Sequence, residues 1–354
     1  MMRVLIASDA WEPQINGVVR TLQEVQALAP EFSVETLMVT PDQFRSLPMP
    51  GYPEIRLALA SASALQQTMA AFRPDVVHVA TEGPIGLSAR NASAKLGVPL
   101  TTSYHTRFPE YLRARAPIPT SVSYALLRRF HNAAAGILVS TPSLEEDLTR
   151  RGFKNLMRWS RGVDLDRYSP RVASTVDWPR PVFLNVGRVA VEKNLEAFLS
   201  LDLPGTKVIV GDGPQRAELA SRFPDAIFLG AKTGKELADI YAQADVFVFP
   251  SLTDTFGVVI LEALASGLPV AAFLVMGPAD ILPNGRAGVL SHNLREAALA
   301  CVSVDKAQCL ELASQYTWRA SVRQFCSNLA TARQNDALLR DRAAKPLQTF
   351  PLGY

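Results

Sequence analysis

Two doubly wound α/β domains, joined by a linker and facing each other across a cleft, are the architecture this sequence of 354 residues predicts. Three observations predict it. Short apolar runs alternate with amphipathic stretches through the first half of the chain. The rhythm then breaks over Arg161-Gly162-Val163-Asp164-Leu165-Asp166-Arg167-Tyr168-Ser169-Pro170, with polar, proline-containing sequence as far as Pro181. Beyond it a second alternating series begins. Strands alternating with helices imply βαβ units around a buried parallel sheet. Ligands of such sheets collect outside the carboxyl ends of the strands.

In the first series the chain opens on Met1-Met2-Arg3-Val4-Leu5-Ile6-Ala7-Ser8, too short for a signal peptide and read as the first strand. The strands are Val4–Ala7, Val34–Val39, Val76–Val79, Leu100–Ser103 and Gly136–Val139. Between them lie helices at Gly17–Leu28, Ala62–Ala71, Ile85–Leu96, Ser121–Ala134 and Ser143–Arg151. The second series has strands at Val182–Val186, Lys207–Val210, Ala226–Leu229, Val246–Phe249 and Val270–Phe273, with helix-like segments from Leu294 onward. The domains are therefore 1–164 and 181–333, joined by the linker 165–180. Each is long enough to bury its own core.

Apolar content near half and modest charge indicate a soluble globular protein. A net charge of +3 is too small to argue for nucleic acid, and no apolar run reaches the ~20 residues that cross a bilayer. Cys301, Cys309 and Cys326 are odd in number and lack metal-ligand spacing, so they read as buried thiols in a reducing cytoplasm.

The segment with most chemical content follows the strand ending at Phe249: Pro250-Ser251-Leu252-Thr253-Asp254-Thr255-Phe256-Gly257, running on to Glu262. Asp254 lies in a loop, and a helix is expected to open near Phe256-Gly257, with Phe256, Gly257 and Val258 as substrate-binding candidates at its mouth. A helix mouth offers free amides and the positive end of its dipole to an anion. Glu262 then sits about two turns in, at ~1.5 Å per residue. Two acids separated along an anion-binding helix suit a ligand with phosphates in the middle and hydroxyl-rich groups at both ends, such as a nucleotide-sugar. The alternative is an ordinary strand, loop and helix with two solvated acids.

This segment resembles the acid-x7-acid signature of retaining glycosyltransferases of the GT-B fold, family 4. Most members carry Glu at the first position; Asp254 is a departure that resembles the members transferring sugars to membrane lipids. The resemblance implies that Glu262 holds the ribose hydroxyls and Asp254 the hydroxyls of the donor sugar. It also implies a last helix that crosses back onto the first domain, for which Thr317 through Arg333 and beyond is the candidate, with the tail at about 334–354 assigned to that domain.

Leu184-Asn185-Val186-Gly187-Arg188-Val189-Ala190-Val191-Glu192-Lys193-Asn194 leaves the first strand of the second series and matches the family's Gly-Arg…Glu-Lys-Asn pattern. Arg188 offers a planar fork to phosphate oxygens and Lys193 a point charge. Departure of a nucleoside diphosphate builds charge on its terminal phosphate, and one fixed cation aimed there can be worth ~3 kcal/mol. Gly211-Asp212-Gly213-Pro214 and Gly230-Ala231-Lys232 are turns after strands. By resemblance the backbones at Gly211 and Gly230 line the nucleotide pocket; a purely structural role is equally compatible.

Asp9-Ala10-Trp11-Glu12-Pro13-Gln14-Ile15-Asn16-Gly17 is not a GxGxxG fingerprint, which argues against a dehydrogenase. It resembles the family's Pro-x-x-Asn/Gly-Gly loop, which makes Asn16 and Gly17 donor-binding candidates, the glycine admitting phosphate closely for want of a Cβ. The family places a histidine beside the anomeric centre, and His105 in Tyr104-His105-Thr106-Arg107-Phe108 matches it. His78 stands at a strand end, either exposed to the cleft or packed, and Glu82 is a candidate to face the acceptor. Arg107 is the candidate partner for a carboxylate at C6 of the donor.

From Arg107 to His131, Arg113, Arg115, Arg128 and Arg129 alternate with Tyr111, Leu112, Ile118, Val122, Tyr124, Leu126, Leu127 and Phe130. Such a mixture suits the interface of an anionic bilayer; equally, it suits a helix packing its apolar side on the sheet. The expectation is a metal-independent, cytoplasmic enzyme at the inner face of the membrane, with no cofactor and no Asp-x-Asp metal motif. It would transfer glucose or glucuronate from a UDP-sugar co-substrate to diacylglycerol or a related lipid with retention of configuration. The alternative is a GDP-mannose-dependent mannosyltransferase. A sugar-nucleotide epimerase and a catalytically silent binding module share the fold.

Overall fold

The computed structural model describes residues 1–14, 16–49, 52–113, 119–171, 176–282 and 285–344. Arg115 and Ile118, named above for the basic segment, lie outside the described residues, as do 172–175 of the linker and 345–354 of the tail.

Strands of the first domain are β1 (Met2–Ala7), β2 (Val34–Val39), β3 (Ser46–Met49), β4 (Tyr52–Ala58), β5 (Val76–Val79), β6 (Leu100–Ser103), β7 (Gly136–Val139) and β8 (Leu156–Arg158). Its helices are α1 (Gly17–Leu28), α2 (Ala62–Phe72), α3 (Pro84–Leu96), α4 (Phe108–Arg113), α5 (Thr120–His131) and α6 (Pro142–Arg150). Six strands form one parallel sheet in the order β2-β1-β5-β6-β7-β8.

The strand period of two divides the core between the faces of this sheet. Val4 and Ile6 pack with Leu22 and Val25 of α1 on one face, while Leu5 and Ala7 pack with Leu65 and Met69 of α2 and with Ile85 and Ala89 of α3 on the other. Strands buried on both faces read as continuous apolar runs, which is why they were legible.

The second domain repeats the plan. Its strands are β9 (Val182–Val186), β10 (Thr206–Val210), β11 (Ile227–Phe228), β12 (Val246–Phe249), β13 (Val270–Phe273) and β14 (Gly288–Ser291), parallel in the order β11-β10-β9-β12-β13-β14. Helices α7 (Leu195–Leu199), α8 (Arg216–Arg222), α9 (Gly234–Gln243), α10 (Val258–Ala265), α11 (Pro278–Ile281), α12 (Leu294–Cys301) and α13 (Lys306–Ser314) follow. The strand predicted at Ala226–Leu229 is trimmed to two residues at the sheet edge. The β3–β4 hairpin, β8 and β14 are additions to the predicted set.

The last helix, α14 (Trp318–Ala344), returns to the first domain. Val322, Phe325, Cys326 and Leu329 sit among Val4, Ile6, Leu138 and Trp159 beneath the first sheet. Each large side chain buried there contributes ~1.5–3 kcal/mol. By these contacts 318–333 belongs with the first domain rather than the second. At the crossing, the Val163 amide donates to the Tyr316 carbonyl at 3.0 Å.

Cys301, Cys309 and Cys326 are buried free thiols, and burial pushes the first two up to about 12 and the third to about 11. Among the described residues, no helix is long and apolar enough to cross a membrane.

In each sheet the strand order reverses beside the first strand, β1 in one and β9 in the other. Loops leaving the neighbouring strands diverge there and open a crevice at the carboxyl ends.

Candidate active site

On the second domain the crevice is framed by residues 187–194 after β9 and 250–257 after β12. Asn194, at φ 54°, ends a 3₁₀ turn over Val191–Lys193 and donates its side-chain amide to the Pro250 carbonyl at 3.1 Å. Ser251 donates to the Glu192 carbonyl at 3.3 Å. These ties bring Lys193 onto Asp254, its ammonium donating to both carboxylate oxygens at 2.7 and 2.9 Å. Burial alone would lower the lysine, yet Asp254 and Tyr111 hold it raised and charged. Arg188, half-buried, leaves the end of β9 directly after Gly187.

Behind these loops the backbone layers tightly. Gly211 adopts φ 145°, and a Cβ on it would lie 1.8 Å from the Gly187 carbonyl oxygen, so only glycine lets the β10 loop rest on the β9 loop. The Gly211 amide donates to the Gly230 carbonyl at 2.9 Å, stacking the third loop on the second.

Helix α10 opens at Val258 after Gly257, with no side chain capping its first amides. Glu262 is therefore just over one turn into the helix, and Asp254 precedes it by four residues. The expected loop acid and helix acid are both found, but the helix opens later than expected, so the depth of Glu262 is corrected from about two turns to just over one. Glu262 accepts from the Tyr241 hydroxyl at 3.0 Å and is faced also by Tyr168, and by Arg20 from α1 of the first domain. Burial raises its pKa, while both tyrosines and the arginines act against that rise. The Phe256 ring is buried in the core, edge-on to Tyr316 at 6.2 Å, so only its backbone can reach a ligand.

On the first domain, Asn16 caps α1, its Oδ1 accepting from the amides of Val18 and Val19 at 3.0 Å. The side chain is thereby committed to the helix; the cap does not take the Gly17 amide. A Cβ on Gly17 would come 3.5 Å from Val258 Cγ2, an ordinary contact, so the protein alone does not require glycine there. That contact does establish that the mouths of α1 and α10 face each other across the crevice.

His105 lies beyond β6. Its backbone carbonyl accepts from the Thr255 hydroxyl at 2.6 Å, so the histidine loop rests on the residue next to Asp254. Burial, reinforced by the Arg161 charge, pushes its imidazole well below the ordinary range and keeps it neutral. His105, Asp254 and Lys193 thus converge where the two domains meet. Tyr111 joins them, its hydroxyl 3.5 Å from Asp254.

Other expectations are redirected. Arg107 donates to Glu110 of α4 at 2.8 Å, and the Tyr124 hydroxyl of α5 shares the same oxygen at 2.7 Å, so the guanidinium already has a carboxylate partner within the first domain. His78 is fully buried between Thr101 and Ser103, each 3.0 Å away, and is pushed down to about 3 by burial. It is a core histidine. Glu82 pairs with His131 at 3.0 Å.

In the basic segment, Tyr111, Tyr124, Leu127 and Phe130 face inward, whereas Val122, Leu126, Arg113, Arg128 and Arg129 are exposed. The packing reading of α5 is thus met on its inward side, and its outward side presents arginines beside two exposed apolar residues.

Sequence reasoning missed Tyr111 as a site residue, Arg20 and Arg161. Tyr111 reads in the sequence only as one of the apolar residues of the basic segment. Arg161 opened a stretch that read as linker, where a lone cation has no periodic signal to mark it as buried.

Residues 17–167 match the family described as Glycosyltransferase Family 4, and residues 180–304 match Glycosyl transferases group 1. A GDP-mannose-dependent alpha-mannosyltransferase of Mycobacterium tuberculosis is 33% identical over 315 residues, covering 82% of this chain and 83% of the relative. The sulfoquinovosyl transferase SQD2 of Arabidopsis thaliana is 33% identical, covering 77% and 60% respectively. An alpha-monoglucosyldiacylglycerol synthase of Streptococcus pneumoniae is 24% identical, covering 77% and 71%. Among solved structures, Anabaena HepE in complex with UDP superposes with a TM-score of 0.66 at 16% identity, covering 94% of this chain and all of the other. At that identity the likeness is one of fold.

Proposed function

The chain belongs to glycosyltransferase family 4, with the GT-B architecture, and on that premise we propose that it moves a hexosyl group from a UDP-sugar to the hydroxyl of a membrane lipid such as diacylglycerol, retaining the anomeric configuration. The observation that carries the reaction is the convergence of Lys193, Asp254 and His105 where two facing helix mouths flank the crevice.

The diphosphate lies at the mouth of α10, whose first amides have no side-chain cap, with Lys193 and Arg188 beside it. Glu262 meets the ribose, and the backbones at Gly211 and Gly230 line the nucleotide. Asp254 and the neutral imidazole of His105 hold the sugar. The acceptor oxygen attacks the anomeric carbon from the face the diphosphate is leaving. As the carbon–phosphate oxygen bond breaks and the new glycosidic bond forms, the departing phosphate takes the acceptor proton. Charge growing on that phosphate meets fixed cations in a partly dry site, and no bound metal is called for.

The lipid acceptor is supported by α5, which carries Val122 and Leu126 at 51% and 66% exposure beside Arg128 and Arg129. Apolar side chains flanked by arginines suit an anionic bilayer surface. On this reading the enzyme works in the cytoplasm, peripherally at the inner face of the membrane. The name of the diacylglycerol-glucosylating relative fits it. A GDP-mannose donor remains the second reading, favoured by the name of the mycobacterial relative.

The deciding experiment offers radiolabelled UDP- and GDP-sugars with membrane lipid extract and resolves the lipid-soluble product. Label passing from a UDP-sugar into diacylglycerol is the expected result. Label moving only from GDP-mannose, or only into water-soluble product, overturns the donor or the acceptor. Interconversion of the donor sugar without release of nucleoside diphosphate would mean an epimerase.

A further inference from the structure

Arg161 is 5% exposed, and burial pulls its guanidinium down to about 9. A charge so placed is costly unless its hydrogens are used. Its Nη1 donates to the backbone carbonyls of Trp159 and Ser160 at 2.7 and 3.1 Å, and its plane stacks on the Trp159 ring at 4.4 Å. One further contact is the informative one: Nη2 lies 2.9 Å from His105 Nδ1.

A guanidinium can only donate. His105 Nδ1 must therefore accept, and the neutral ring must carry its proton on Nε2. That Nε2 is buried and has no hydrogen-bond partner among the described residues. A buried donor left unpaired costs ~1–3 kcal/mol unless something fills the space before it. We propose that Arg161 is a positioning residue that locks His105 as a neutral Nε2–H donor aimed at an oxygen of the bound donor sugar.

The inference deepens the glycosyltransferase reading and rests on it, because it needs His105 to meet the sugar. The charged and titratable groups around the ring all favour the neutral form: Arg161 in contact, with His78 and His131 adding in the same direction. Two further neighbours, the Trp159 ring at 5.7 Å and the Thr255 hydroxyl on the backbone carbonyl, are uncharged. Arg161 opens the crossing between the domains, so the lock also ties the sugar-facing histidine to the segment that joins them.

The test is nitrogen-15 NMR of the four histidines, assigned by single substitution, on the full chain. The wild type should give one protonated and one unprotonated ring nitrogen for His105, with Nε2 protonated, unchanged across the ordinary histidine titration range. In Arg161→Gln the ring should lose its fixed tautomer or begin to titrate, and kcat should fall by roughly 10- to 100-fold, by analogy with the partners that orient metal-bound histidines. Arg161→Lys, which keeps a charged donor, should recover part of the loss.

A wild-type His105 protonated on Nδ1 overturns the proposal even if no variant folds. So does an Arg161→Gln spectrum in which His105 is unaltered. A correct wild-type tautomer that shifts in Arg161→Gln, combined with full activity in His105→Gln, would instead uphold the lock and refute the role of His105.

Discussion

Replacing Asp254 by Asn removes the counter-charge of Lys193 while keeping the side chain's size. Lys193 holds both carboxylate oxygens within 2.9 Å, with the two side chains 27% and 14% exposed. At that distance and an effective dielectric of ~20, the gross attraction is ~6 kcal/mol, most of it offset by the desolvation already incurred. Fully buried pairs cost ~3–5 kcal/mol to break and exposed ones under ~1, so a net loss of ~1–2 kcal/mol suits this partial burial. The ligand-free variant should melt lower by that amount.

A diphosphate changes the sign of the effect. If Lys193 must leave Asp254 to meet the phosphate, the wild type spends part of its binding energy breaking the pair. Asp254→Asn should then bind UDP about 5- to 10-fold more tightly, ~1–1.4 kcal/mol, and UDP should raise its melting temperature by more than it raises the wild type's. Transfer should nonetheless collapse, because the sugar has lost its acceptor carboxylate. Isothermal titration with UDP and thermal melts with and without it read both quantities. Equal or weaker UDP affinity in the variant would refute the competition, and unaltered turnover would refute the role of Asp254 itself.

Arg107→Ala should lower stability by ~1–3 kcal/mol, because it leaves the Glu110 carboxylate half-paired, while glucuronate and glucose donors lose activity equally; a selective loss for glucuronate would restore Arg107 to the donor site. Glu262, whose carboxyl is raised by burial, contributes stability present at low pH and lost as the pH rises through its folded-state value. Glu262→Gln should therefore be stabilised relative to wild type more at pH 8 than at pH 5 in paired melts, at the expense of nucleotide affinity; a gap that shrinks with pH would contradict that sign. Arg129→Glu on the exposed side of α5 should weaken binding to phosphatidylserine-containing vesicles by roughly fivefold or more per charge removed, ~1 kcal/mol, without moving the melting temperature. Sedimentation equal to wild type would remove α5 from the docking surface.

How much of this was legible in the sequence depended on whether a residue's role was local. The strands at Val4–Ala7 and Val182–Val186 announced themselves because both faces are buried, leaving an unbroken apolar run that needs no knowledge of neighbours. Edge elements such as β8 and β14 lack that burial and gave no such signal. The acid pair and the Arg188–Lys193 loop were likewise readable, since strand, turn and helix dictate where their backbones go. The sequence could not reveal pairings made across the fold. Arg107 reads as a candidate partner for a donor carboxylate, while the fold gives it Glu110, which Tyr124 of α5 shares; Tyr111 reads as one apolar residue of the basic segment, while the second domain sets Asp254 3.5 Å from its hydroxyl.

Arg161 combines both cases. Its neighbours Trp159 and Ser160 are local, but what makes it chemically informative is His105, 56 residues away, whose own position depends on Thr255 in the other domain. A buried cation whose donors end on two carbonyls and one imidazole has its geometry fixed by all three. Shifting any of them would release a charge into apolar surroundings, where the penalty for an unpaired ion amounts to several kcal/mol. That penalty is what makes the histidine's tautomer a property of the closed two-domain fold, and it is why separating the domains should loosen the His105 ring as well as the Thr255 contact.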